Sequence, residues 1–141
     1  MSRFAFSILP LCLALGAGCS SQPGALVDYQ VSGGLTGRGD GTSLTLDTSG
    51  IGARTTVHDG SVPVQLDPTQ LADLNAKIRA AQFATLQPSY GCHGCVDQFV
   101  YEIAVQSDGR RYEVSVDQDD TITYPEGLHA LLVTLKQLAP P

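Results

Sequence analysis

Apolar and polar positions along this chain fall into two periods, and the change of period marks most of its elements. From Asp97 to Gln106 the alternation is strict, Asp108–Gly109 follows, and Arg110 to Asp117 alternates back. A period of two is the signature of a strand with one buried face. Asp–Gly between two such runs predicts a hairpin with a type I′ turn, because both residues accept positive φ. That turn sets a register. Ser107 faces Arg110, Val105 faces Tyr112, Ile103 faces Val114 and Tyr101 faces Val116, with Glu102 and Glu113 on the opposite side.

Two stretches carry the helical period instead. Asp67 is a good N-cap, Pro68 suits the first helical position, and Gln70 completes a capping box. Leu71, Leu74, Ile78 and Ala81 then form one apolar stripe, and the helix is expected to end near Phe83, before Pro88. The second helix is expected to start at Tyr124–Pro125, with Leu128, Leu131, Leu132, Leu135 and Leu138 on its stripe and Pro140 as its stop.

Upstream, Ala25 to Ser32 reads as a strand with Val27, Tyr29 and Val31 on one face. Gly33, Gly34, Gly37, Gly39 and Gly41 predict a turn or loop. Ser43 to Asp47 is a second strand, and Ala53 to His58 a third, ended by Asp59–Gly60. The expected order is β-β-β-α-β-β-α. The expected fold is α+β in two layers: an antiparallel sheet of about four or five strands with two helices on one face.

The first residues follow neither period. Arg3 precedes an apolar run from Phe4 to Ala17, and Gly18 and Cys19 follow. A positive head, an apolar stretch of about 7–15 residues and small residues before a cut describe an export signal. The run is shorter than the ~20 residues that a membrane-crossing helix needs. The segment before Cys19 resembles a bacterial lipobox, although Leu15 stands four residues ahead of the cysteine where the usual spacing is three. Residues 1–18 are therefore expected to be a lipoprotein signal peptide, with fatty acyl (palmitate-type) chains on Cys19. Ordinary signal cleavage leaving a plain thiol is the alternative. Residues 19–25 are then a lipidated linker and residues 26–141 one globular domain. Ser20, in place of the Asp that retains lipoproteins at the inner membrane, points to the outer membrane in a Gram-negative cell. In a Gram-positive cell the anchor belongs on the outer face of the plasma membrane.

Charge narrows the class. Lys and Arg number 8 against 14 Asp and Glu, a formal net charge of −6, and loss of Arg3 with the leader takes it to −7. Such a chain is a poor partner for nucleic acid and gains nothing from an anionic lipid surface, so contact with the membrane would run through the lipid alone.

Cys92–His93–Gly94–Cys95 is the most conspicuous motif. With Cys12 removed and Cys19 acylated, an even pair in an oxidising compartment makes a short-loop disulfide the default. A redox-active pair is the alternative, but Asp97 and a strand pattern follow where a thiol-activating helix would be required. A metal site would need about two more ligands, and His58 and His129 are not spaced to provide them. Arg38–Gly39–Asp40 matches an adhesion tripeptide in a glycine-rich turn. Asp117, Asp119 and Asp120 lack the glycine and glutamate register of a calcium loop. No G-x-S-x-G elbow, phosphate loop or dinucleotide fingerprint occurs. The expectation is a domain with no catalytic residue, no cofactor and no metal.

Several runs together carry a resemblance. Tyr29–Gln30–Val31–Ser32–Gly33–Gly34–Leu35–Thr36–Gly37, Leu66–Asp67 with Leu71 and Leu74, Ala80–Ala81–Gln82–Phe83, Asp97 to Ile103, Gly109 to Val114, and the leucines of the last helix are similar to the emfourin family, proteinaceous inhibitors of thermolysin-like (M4) metalloproteases. The resemblance covers residues 27–138. It implies steric blockade of a zinc protease's substrate cleft. The partner-binding loop expected from it is Ser32, Gly33, Gly34, Leu35, Thr36 and Gly37, although the same glycines also serve simply to turn the backbone. The lipid signal and the cysteine pair depart from what inhibition requires, and the long stretch from Gly39 to Ser61 would reshape a protease-facing surface. The expected partner is a secreted metalloprotease or another envelope protein. A redox envelope protein using Cys92 and Cys95, or a structural lipoprotein without a ligand, are the competing functions.

Overall fold

The computed structural model describes residues 26–34, 41–91, 98–118 and 123–140. In chain order it contains β1 (Val27–Gly33), β2 (Thr42–Leu46), β3 (Ile51–Thr56), β4 (Gly60–Gln65), α1 (Pro68–Ala80), β5 (Ser89–Tyr90), β6 (Phe99–Ser107), β7 (Arg110–Asp117) and α2 (Glu126–Leu138). All the strands join one sheet in the order β4-β3-β2-β1-β6-β7-β5.

The hairpin of β6 and β7 forms in the register that its turn dictates. Ser107 pairs with Arg110, Val105 with Tyr112, Ile103 with Val114 and Tyr101 with Val116. Asp108 and Gly109 take φ of +51° and +73°, as a type I′ turn requires. The start of α1 is equally local in origin. One Asp67 carboxylate oxygen accepts the N–H groups of Thr69 and Gln70, both at 2.8 Å, and the Gln70 side chain accepts the Asp67 N–H at 2.9 Å.

The α+β class with two helices stands, but the sheet differs from expectation. It has seven strands rather than four or five. It is mixed rather than antiparallel, because β5 runs parallel to β7. The extra strands escape sequence reading for different reasons. β4 contains Pro63, which cannot donate to a ladder and so argues against a strand; β4 tolerates it as an edge strand paired only to β3. Asp59–Gly60 does not simply end the third strand. It closes a turn at Val57–Asp59, where the Asp59 N–H donates to Thr56 Oγ1 at 2.9 Å. β5 has two residues, too few to show a period. α1 also stops at Ala80, short of Phe83. Gln82 takes φ of +49°, and Phe83–Thr85 continues as a 3₁₀ turn.

Alternation along β1, β2, β6 and β7 sends one set of side chains under the helices. Tyr29, Leu44, Ile103 and Val114 lie in one cross-strand row and are all buried. Leu74 and Ile78 of α1 and Leu128, Leu131, Leu132 and Leu135 of α2 close over them in a single core. Each such leucine contributes roughly 1.5–3 kcal/mol of hydrophobic stabilisation. The helices also pair with each other, Lys77 Nζ donating to Thr134 Oγ1 at 2.7 Å. The opposite sheet face carries Asp28, Gln30, Thr45, Glu102 and Glu113, and no helix packs against it among the described residues.

Candidate functional site

The strands give the domain two poles. At one, the turn pole, lie Leu26 ahead of β1, the Asp47–Gly50 turn, the Asp67 cap and the Asp108–Gly109 turn. At the other, the loop pole, lie Gly33 and Gly34, the Val57–Asp59 turn, and the residues flanking the β5–β6 and β7–α2 connections.

Three of the expected binding-loop residues fall on described chain at the loop pole. Ser32 is exposed, and Gly33 and Gly34 are half-buried. Leu35, Thr36 and Gly37 lie outside the described residues, as do Cys19, Cys92 and Cys95. Gly33 has φ of +93° and Gly34 of +97°, both in the region that side chains disfavour. Space restricts them further. A Cβ on Gly33 would fall 2.1 Å from the Gln98 carbonyl oxygen, and one on Gly34 would meet the Phe99 ring at 3.2 Å. The Gly34 N–H donates to that same Gln98 carbonyl at 3.1 Å.

The supports of this contact were not legible in the sequence. The Gln118 N–H donates to the Phe99 carbonyl at 2.8 Å, and Tyr101 Oη donates to Gln118 Oε1 at 2.7 Å. The Tyr101 ring lies parallel to that of Tyr29, centroids 6.2 Å apart, and carries the Lys136 ammonium 4.0 Å above its centroid. Desolvation pushes the Lys136 pKa down and the pKa values of both tyrosines up. Tyr29 Oη has no hydrogen-bond partner among the described residues, whereas Tyr101 Oη is tied to the loop pole. Phe99 and Tyr101 stand in the D-x-F-x-Y-x-I run. Their spacing marked a strand, but which turn they would brace depends on β1 lying beside β6.

The polar sheet face carries a concavity of about 400 Å³, whose lining includes Asp28, Glu102, Arg111 and Glu113 as well as the apolar Pro88 and Ala104. Arg111 donates to Asp28 at 2.8 Å and to Glu113 at 3.0 Å, and these carboxylates raise its pKa. The pairs are solvent-facing, so each is worth only ~0–1 kcal/mol. Among the described residues no three His, Cys, Asp or Glu side chains gather where they could hold a metal. His129, expected at a core edge or in solvent, is exposed, with its ring 5.8 Å from that of Tyr124. No helix of the described residues is long and apolar enough to cross a membrane.

The loop pole is thus braced by backbone contacts, and on the polar sheet face a single arginine, Arg111, stands among the carboxylates of Asp28, Glu102 and Glu113. The emfourin family model matches residues 61–136, more than half of the chain. This protein therefore belongs to the emfourin family, whose character is inhibitory and non-enzymatic. The matched span runs from β4 to α2 and leaves out β1, with Gly33 at its end, Gly34, β2 and β3. No curated protein matches the chain.

Proposed function

We propose that this protein is a non-enzymatic inhibitor of a secreted zinc metalloprotease, anchored to the cell envelope through lipid on Cys19. Membership of the emfourin family supports an inhibitory role. The observation that carries the choice of contact surface is the seating of Gly33 and Gly34 against Gln98 and Phe99. Tight steric inhibitors depend on loops ordered before binding, because ordering them on binding subtracts from affinity. Chain leaving Gly34 starts from a point held by φ, by close approach and by a hydrogen bond. The segment from Ser32 to Gly37 would enter the substrate cleft and keep peptides out, with no covalent step and no cofactor.

The leader and Cys19 support export and anchoring. Two or three acyl chains would hold the protein firmly, since each buried CH₂ contributes roughly 0.8 kcal/mol. Cys92 and Cys95 would form a disulfide that stiffens the β5–β6 connection at the same pole. Titrating a thermolysin-like protease with the mature chain tests the inhibitory role: stoichiometric loss of peptide hydrolysis supports it, and full activity at micromolar protein removes it. Intact mass of protein from bacterial membranes reads acylation and the disulfide together.

A further inference from the structure

β1 begins at the turn pole and ends at the loop pole, so the linker from Cys19 enters the domain at the end opposite Gly33 and Gly34. We propose that the domain is oriented on the lipid surface, with the Asp108–Gly109 turn toward the membrane and the loop pole toward the aqueous phase. In this orientation it captures water-soluble protease in a shell next to the membrane. The inference rests on the anchored-inhibitor reading above and adds a direction and a reach to it.

Reach follows from chain geometry. The seven peptide steps from Cys19 to Leu26 span at most about 25 Å. The seven residues of β1 add about 23 Å. Gly33 therefore lies within about 50 Å of the anchored cysteine even with the linker taut. A linker this short keeps the entry point of β1 near the headgroups, so the pole at which β1 begins is the one held inward.

Val57, 64% exposed, marks the outward pole, and Asp108 the inward one.

The test uses the acylated protein produced from the full chain, its acylation verified by intact mass. It is reconstituted in vesicles of phosphatidylethanolamine and phosphatidylglycerol bearing a headgroup energy acceptor. A donor dye is attached by azide chemistry in Val57→p-azidophenylalanine or Asp108→p-azidophenylalanine, which leaves the cysteines untouched. Transfer from position 108 is expected to exceed transfer from position 57 at least about twofold, given a separation of poles of more than 20 Å. Equal transfer from the two positions, or stronger transfer from 57, overturns the orientation; so does protein recovered without acyl mass. Protease titration on the same vesicles is a separate readout. Oriented protein that leaves the protease active defeats the inhibitory role and not the orientation, and inhibition with equal transfer defeats the orientation alone.

Discussion

The seat of Gly33 at the loop pole and the Asp108–Gly109 turn at the other pole both use glycine at positive φ, and they use it differently. At the turn pole Gly109 has φ of +73° and no atom of the described residues within 4 Å of where a Cβ would stand. Only torsion asks for glycine there. At the loop pole Gly33 has φ of +93° and a carbonyl oxygen 2.1 Å from the position of its missing Cβ. Torsion and space both ask for it. The turn at Asp108 is made by the two residues that occupy it, whereas the seat of Gly33 is made by two strands that meet only in the folded sheet. A glycine required by torsion alone is a local feature. A glycine required by a neighbour's backbone, as Gly33 and Gly52 are, is a feature of the assembled sheet.

Substitutions grade this contrast. Gly33→Ala is expected to have the largest effect, a loss of about 3 kcal/mol or more, since strain at positive φ adds to a backbone collision that only displacement of β6 relieves. Urea unfolding reads the loss, and protease titration of the same variant should show weakened inhibition. Gly34→Ala is expected to cost about 1–3 kcal/mol, because its obstacle is the Phe99 ring, which can give way. Gly109→Ala is expected to cost about 1 kcal/mol, the torsional penalty by itself, and to leave inhibition unchanged. If Gly33→Ala and Gly109→Ala prove equally costly, the distinction between these two glycines fails.

The smallest effect belongs to the turn pole and to pH. Asp47 accepts hydrogen bonds from Ser49 Oγ and N–H and from the Ile51 N–H, and these hold its carboxyl below the usual carboxylate range. Its folded pKa lies below its unfolded pKa, so its contribution is present above about pH 4 and is lost as pH falls through the folded value. Thermal melts of Asp47→Asn against the parent should therefore differ at neutral pH and converge in acid. A gap that widens on acidification would contradict this.

The hairpin and both helices were readable because each has a cause within a few residues. The Asp108–Gly109 dipeptide sets the pairing of Ile103 with Val114, and the side chains of Asp67 and Gln70 open α1 unaided. The sheet's width was not readable. Pro63 counts against a strand until an edge position excuses its missing donor, and Ser89–Tyr90 becomes a strand only because Ser115 and Val116 lie beside it. The candidate site divides along the same line. Ser32, Gly33 and Gly34 stood out as a turn, while Gln98, Phe99, Tyr101 and Gln118 had no reason to be linked to it.

Period, caps and turn chemistry thus determined from sequence alone which segments are helix or hairpin, and which faces are apolar, because those forces act between near neighbours along the chain. The placement of β1 between β2 and β6 was decided only in three dimensions. That placement seats Gly33 on the Gln98 carbonyl and puts the entry of β1 at the far pole. It depends on burying Tyr29, Leu44 and Ile103 in one layer, a contact among residues far apart in sequence that no local pattern encodes.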